Sequence, residues 1–391
     1  MKSKSPEATA APERLYRGPA ANAKRMLLVL LLAAGITMIY FSSGERAPIR
    51  IGLMLNLSGH GGTANEYVRE GAMLAVEEVN RRGGVKGSAL RLLIRDDKNT
   101  EEGIRQAARS LIDEGVIAII GPVTSRNALI AHPEVVSRGV LLFTPYAATR
   151  RLAEADDLFF RTIVDTGEHG RCMAVLLRER GATRVAVLKD ISNPGFVVEY
   201  FEETRRNLDI DYNQVDISSK QPVDWDSVVA RLKSAAPDAI LLITEVSMTS
   251  IATQKLRAQG YTGAIIGTTW TQSPDLIRFG GNAVEGLSLV TFIDPDNQRP
   301  EYLKFAEKMR RRLGQSPSAR STRAYEAVDI IATALNRGGE PSTALLREQL
   351  LKGSFETLMG RVEFNRFGDV ERPMYEIAVR EGRFVKVREI P

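Results

Sequence analysis

The chain has 391 residues, room for two ordinary domains, and its 43% hydrophobic and 26% charged residues are the balance of a soluble globular protein. Its basic excess, 53 Lys/Arg against 48 Asp/Glu, does not point to nucleic acid, because residues 1–47 hold seven of the basic and three of the acidic residues and the remainder is nearly neutral. The single cysteine, Cys172, excludes a disulfide within the chain and sits in an apolar helical pattern as a small core residue rather than a reactive thiol.

Residues 1–25 read as a basic cytoplasmic n-region. Residues 26–44 carry the apolar run Met26 to Phe41, about 24 Å at ~1.5 Å per residue, slightly short of a bilayer core. Positive charge ahead of the run and none inside it put the N-terminus in the cytoplasm and the rest of the chain outside. A signal peptide and a transmembrane signal-anchor both fit this segment.

From Ile49 the pattern alternates short apolar runs with helices. A strand over Ile49 to Leu55 meets a glycine-rich turn, and a helix follows with Val68, Ala72, Ala75, Val76 and Val79 on its apolar stripe. Strands at Leu90 to Ile94, Val116 to Ile120 and Val140 to Phe143 alternate with helices at Glu101 to Glu114 and Ser125 to Ser137. After Phe159–Arg161 the rhythm restarts with helix Gly167 to Arg180 and strand Arg184 to Leu188. Helix Phe196 to Leu208, strand Gln214 to Ile217, helix Trp225 to Ala235 and strand Ala239 to Ile243 follow. Helix Met248 to Gln259 and strand Ala264 to Ile266 complete this second run. Continuous Val/Ile/Leu strands between helices imply parallel sheets covered on both faces, here two similar α/β lobes. The last hundred residues differ. Helices at Pro300 to Leu313, Thr322 to Asn336 and Ser342 to Leu351 are expected to complete the first lobe. Strands at Arg361 to Phe364, Met374 to Arg380 and Phe384 to Val387 are expected to dress the second.

Catalytic signatures are missing together. The turn Gly59 to Ala64 imitates a dinucleotide fingerprint, but Asp96 and Asp97 follow it by more than 30 positions where about 20 are expected. His60, His132 and His169 have no metal-ligand spacing. No nucleophile elbow or Walker loop occurs, and neither an enzyme nor a cofactor is expected. The loops after the strands are richer, and in open parallel sheets ligands bind there. They are Gly121 to Ser125, Thr144 to Thr149, Lys189 to Gly195, Thr244-Glu245 and Thr268 to Trp270. Singly each residue suits a cap or a turn. Together they present hydroxyls, amides, a carboxylate and two aromatic rings on facing lobe edges, a pocket for a small polar molecule.

RIGLMLNLSG, REGAMLAVEEVNRRGGVKG, LRLLIRDDKNT, IIGPVTS, LLFTPYAAT, DAILLITE and LMGRVEFNRFGD make residues 48–391 resemble the branched-chain amino-acid-binding, type I periplasmic binding proteins of ABC importers. The resemblance implies two flavodoxin-like lobes with parallel sheets, residues 48–164 with 292–358 and residues 165–291 with 359–391. Three hinge crossings would lie near Val164, Thr291 and Met359. It implies a periplasmic or extracytoplasmic monomer, secreted or anchored, that traps an amino acid or related small carboxylate and docks on a permease. A membrane-held ligand-sensing ectodomain of the same fold is the alternative.

Carried over residue by residue, Val123 and Ser125 match first-lobe contacts, Ser125 standing where the family binds an amino-acid carboxylate. Tyr146 and Ala148, with Ala147 between them, fall where a small residue and a threonine are common. Ser192 and Glu245 replace aromatics, and Thr269, beside Trp270, stands where amino-acid binders carry a glutamate for the α-ammonium. An ammonium buried without a carboxylate costs several kcal/mol. Either Glu245 supplies that charge from the opposite wall, or the ligand is an aromatic or aliphatic carboxylate or another polar metabolite.

Overall fold

The nearly continuous apolar run IRIGLML forms β1 (Ile49–Leu55), buried along its last five residues, as a strand flanked on both edges and covered on both faces must be. In the computed structural model, which describes Met26, residues 46–58 and residues 62–391, β1 lies inside a parallel five-stranded sheet of order β2-β1-β3-β4-β5. Its other strands are β2 (Leu90–Asp96), β3 (Ala118–Ile120), β4 (Leu141–Thr144) and β5 (Phe159–Arg161). The n-region, the apolar run beyond Met26 and the His60 turn lie outside the described residues. Among the described residues no helix is long and apolar enough to cross a membrane.

Three helices connect these strands: α1 (Glu66–Arg81), α2 (Glu101–Asp113) and α3 (Ser125–Val136). Alternate side chains of the sheet enter two cores. Ile51, Leu53 and Leu55 meet Val68 and Ala72 of α1, while Met54, Ile119 and Leu142 meet Ile104 of α2 and Ala128 of α3. Thr100 and Thr124 cap α2 and α3 by accepting the N–H groups of Gly103 and Asn127.

The second half repeats the scheme. It contains α4 (Thr166–Glu179), β6 (Arg184–Asp190), α5 (Pro194–Asn207), β7 (Asp211–Ile217), α6 (Trp225–Lys233) and β8 (Ala239–Ile243). α7 (Val246–Ala258), β9 (Ala264–Thr268), α8 (Pro274–Gly280) and β10 (Ser288–Thr291) follow. Val185, Val187, Leu241 and Ile243 pack under α4 and α5, and Ala186, Leu188, Ile240 and Leu242 under α6 to α8.

The chain then returns to the first lobe through α9 (Pro300–Leu313), α10 (Ala319–Asn336) and α11 (Thr343–Lys352). α10 lies against α1 so closely that a Cβ on Gly71 would come within 2.3 Å of the Ser321 carbonyl oxygen. The hairpin of β11 (Ser354–Thr357) and β12 (Gly360–Glu363) departs from expectation: Phe355, Val362, Phe364 and Val370 join the core of the first sheet. The final return to the second sheet therefore comes at β13 (Met374–Arg380), later than the crossing expected near Met359. β13 pairs antiparallel with β10 and with β14 (Arg383–Ile390), giving the order β14-β13-β10-β9-β8-β6-β7.

Polar bonds tie the lobes beside the crossings. Glu199 of α5 accepts Thr149 Oγ1 at 2.6 Å and the Arg150 N–H at 2.8 Å. On the first-lobe side of the crossings, the fully buried Arg161 guanidinium meets Asp369 at 2.6 Å, and Arg372 meets Glu326 at 2.6 Å with both side chains out of solvent.

A cleft at the strand ends

The carboxyl ends of the strands of both lobes border one cavity of about 440 Å³. The first lobe supplies Asn56 after β1, Asp97 after β2, Val123 and Thr124 after β3, and Arg320 near the start of α10. The second supplies Ser192 and Asn193 after β6, Ser219 after β7, Glu245 after β8 and Trp270 after β9. A smaller space of about 30 Å³ continues inward, lined by Val123, Tyr146, Ile163, Asn193, Phe196, Thr269, Trp270, Arg320 and Arg323. A larger groove of about 830 Å³ runs along the crossings at Arg150, Arg161 and Arg171. Its guanidiniums are already matched by Glu203, Asp369 and Glu168 at 3.3, 2.6 and 2.7 Å. The strand-end cleft is the better candidate, because open α/β sheets bind ligands there and because its charges are not all matched.

Six of the residues singled out from sequence meet at this cleft: Val123, Tyr146, Ser192, Glu245, Thr269 and Trp270. Ser125, Ala147 and Ala148 lie behind it. The Ser125 hydroxyl is buried and accepts the Ala148 N–H at 3.2 Å, so it joins two first-lobe loops, and Ala147 donates its N–H to Thr144 Oγ1. The N-terminus of α3, where a carboxylate was expected, meets the second lobe instead. Asn193 Oδ1 accepts the Arg126 N–H at 3.2 Å, and a Cβ on Gly195 would come 3.2 Å from Leu129 Cδ1.

Glu245 lines the cavity while capping α7, its carboxylate accepting the Met248 N–H at 2.9 Å and the Ser247 N–H and hydroxyl at 3.1 and 2.6 Å. Thr269 Oγ1 is 3.2 Å from Thr291 Oγ1, and Ser192 Oγ accepts the Ser219 hydroxyl at 3.0 Å. Tyr146 donates its hydroxyl to the Arg320 carbonyl at 2.9 Å, and burial holds its pKa well above the ordinary phenol value. Trp270 stands edge-on to Phe196 with ring centroids 5.9 Å apart.

Three charged contributors were not found from sequence. Asp97 is fully buried with Oδ2 unpartnered among the described residues, and burial pushes its pKa up to about 6. Arg320 and Arg323 come from α10, far in sequence from every strand-end loop. The signal available for them was two arginines one turn apart at the start of an alanine-rich helix. Among the described residues no His/Cys/Asp/Glu group is arranged to hold a metal.

Two α/β lobes with a mixed polar and aromatic cleft at their strand ends define a two-lobe binding protein. The sequence pattern of the periplasmic binding protein family matches residues 48–383, and the chain belongs to that family. It is 26% identical over 356 residues to Leu/Ile/Val-binding protein homolog 3 of Brucella melitensis, covering 90% of this chain and 96% of that protein. A leucine-binding protein, LivK, of Thermotoga maritima superposes with a TM-score of 0.80 at 25% identity, covering 88% of this chain and 98% of its own. A solute-binding protein of an ABC transporter from R. palustris, solved with benzoate, shares the fold at 17% identity with a TM-score of 0.78, covering 88% of this chain and 96% of its own. The resemblance to branched-chain amino-acid-binding proteins is thus borne out. Members of the family are solute-binding proteins rather than enzymes.

Proposed function

We propose that the protein is an exported receptor of an ABC importer that holds an amino acid or related small carboxylate between its lobes and delivers it to a membrane permease. The observation that carries this reading is the 440 Å³ cavity bordered by strand ends of both lobes in a chain of this family. A cavity of that size suits a small metabolite. Because both lobes contribute lining residues, a ligand touching both has more contacts with the lobes together than apart. That difference in affinity drives closure about the crossings.

In this reading Val123, Tyr146, Ser192, Glu245, Thr269 and Trp270 contact the ligand, while Ser125, Ala147 and Ala148 fix the first-lobe loops from behind. The basic n-region and apolar run export the chain to the periplasm or hold it at the inner membrane, and the folded part works as a monomer. A thermal-shift screen of the full-length protein against amino acids, aromatic carboxylates and dicarboxylates tests the reading. A ligand at a hundred times its Kd adds about 2.7 kcal/mol to the folded state, a rise of several degrees. A screen in which no small carboxylate or amino acid raises the melting temperature contradicts the proposal.

A further inference from the structure

Four arginines beside the cleft and the crossings fall into two groups. Arg161 and Arg372 each face a carboxylate at 2.6 Å, Asp369 and Glu326 respectively. Arg320 and Arg323, one turn apart on α10, have no carboxylate within 4.0 Å among the described residues. Arg320 donates from Nη1 to Asn65 Oδ1 at 2.6 Å, and no other acceptor for its side chain occurs among those residues. Arg323 is 5% exposed and donates to two backbone carbonyls, Ala319 at 3.1 Å and Pro145 at 3.2 Å. Its guanidinium lies over the Tyr146 ring at 5.0 Å and the Phe292 ring at 5.7 Å. Taking a charge out of water without a counter-ion is costly, and desolvation accordingly lowers the pKa of both groups, that of Arg323 to about 10.

Both arginines line the cleft, Arg320 in its outer and inner parts and Arg323 in the inner part. Glu245 and Asp275 of the opposite wall offset part of the desolvation of Arg320 from beyond 4.0 Å, but their direct partners are elsewhere: Glu245 caps α7, and Asp275 is 2.8 Å from Arg278. A carboxylate in direct contact with these guanidiniums is therefore one that a ligand brings. A guanidinium presents a planar fork that matches a carboxylate with two parallel hydrogen bonds, a match no single hydroxyl makes. The inner space around the arginines has only about 30 Å³, room for a water-sized group, so an apolar body belongs in the outer cavity of about 440 Å³, where Val123, Trp270 and Phe279 border it beside Arg320.

We propose that Arg320, backed by Arg323, reads the carboxylate of the cleft ligand, and that the ligand is a small monocarboxylate whose apolar body lies in the outer cavity against Val123, Trp270 and Phe279. This rests on the cleft being the ligand site and adds which group is recognised and by which residue. The anion is held from α10, and the N-terminus of α3 is left to Asn193.

Titration calorimetry of the full-length protein with benzoate, benzamide, L-leucine and L-leucinamide tests it, using wild type, Arg320→Gln and Arg320→Lys. Arg320 is only half-buried, and the melting temperature of each unliganded variant verifies its fold. The expected result is benzoate binding to wild type with benzamide at least tenfold weaker. Arg320→Gln weakens benzoate at least thirtyfold while changing benzamide less than threefold, and Arg320→Lys recovers part of the loss. A merely structural role would weaken acid and amide alike, and that result overturns the inference. Equal benzoate affinity in Arg320→Gln and wild type overturns it while leaving the cleft reading intact. L-Leucine bound tightly by wild type and unaffected by Arg320→Gln has the same meaning. Failure of all four probes to bind wild type overturns the monocarboxylate assignment itself, whereas the wider screen decides the cleft reading.

Discussion

Asn193 Oδ1 accepts the backbone N–H of Arg126 at 3.2 Å, placing a side chain of the second lobe on the first turn of a first-lobe helix. The free N–H groups of a helix start attract anions and acceptors. Here a residue of the protein itself supplies the acceptor, and the bond forms only while the lobes are together.

Removing this bond should open the unliganded protein. A neutral hydrogen bond contributes about 1 kcal/mol, so Asn193→Ala shifts the balance of open and closed forms roughly fivefold toward open. Asn193→Asp puts negative charge on the helix start and shifts it the other way by a comparable amount. Small-angle scattering should give a larger radius of gyration for Asn193→Ala than for Asn193→Asp. Identical profiles would show that this contact has no part in holding the lobes together.

Ser125→Ala should affect stability more than binding. Its hydroxyl accepts the Ala148 N–H inside the first lobe, and truncation leaves that buried donor unpaired, a loss of about 1–3 kcal/mol. Ligand affinity should change less than threefold. A tenfold loss of affinity at unchanged melting temperature would return the carboxylate to the start of α3.

Asp97 gives stability a component that weakens with rising pH. Its folded pKa of about 6 lies above the ordinary value of 3.8. Below the lower value both states keep the proton. Between the two the unfolded chain loses it first, so stability falls as pH rises through about 6. Asp97→Asn, which keeps an acceptor for the Asn99 N–H, should gain up to about 3 kcal/mol at pH 7.5 and nothing at pH 3.5. Equal gains at both pH values in urea unfolding would mean that the carboxylate is not what burial penalises.

His169 works in the opposite direction. Its ring stacks on Tyr200 at 5.7 Å, neither ring nitrogen has a partner among the described residues, and burial pulls its pKa down to about 4 from 6.5. The unfolded chain takes up a proton first on acidification, so this contribution is present above pH 6.5 and is lost as pH falls toward 4. His169→Phe should keep the aromatic packing with Phe196 and Phe292 and flatten the pH dependence of stability over that range. The change at pH 4 should reach roughly 3 kcal/mol at most. A variant whose melting temperature follows the wild-type pH curve would contradict a neutral buried ring.

What the sequence showed and hid divides along one line. β1, β6 and β8 were legible because continuous apolar runs between helices have few other uses, and the strand-end loops followed from them. Of the hairpin after α11, the strand at Arg361 to Phe364 was legible but its partner Ser354–Thr357 was not, and the attachment of both to the first lobe depends on where Phe355 and Val362 find a core. The arginines of α10 were hidden for a related reason. Locally they read as an ordinary helix start, and only the packing of α10 against α1 brings them to the cleft. Asn193 reads as a turn former, and its bond to Arg126 exists only once two distant loops meet.

The most direct test of the account is a crystal structure of the protein grown with the best carboxylate from the thermal screen. The account predicts the ligand between the lobes, enclosed by Val123, Asn193, Trp270 and Arg320. A ligand seated instead in the charged groove at Arg161 and Arg171, with the strand-end cleft unchanged, would contradict it.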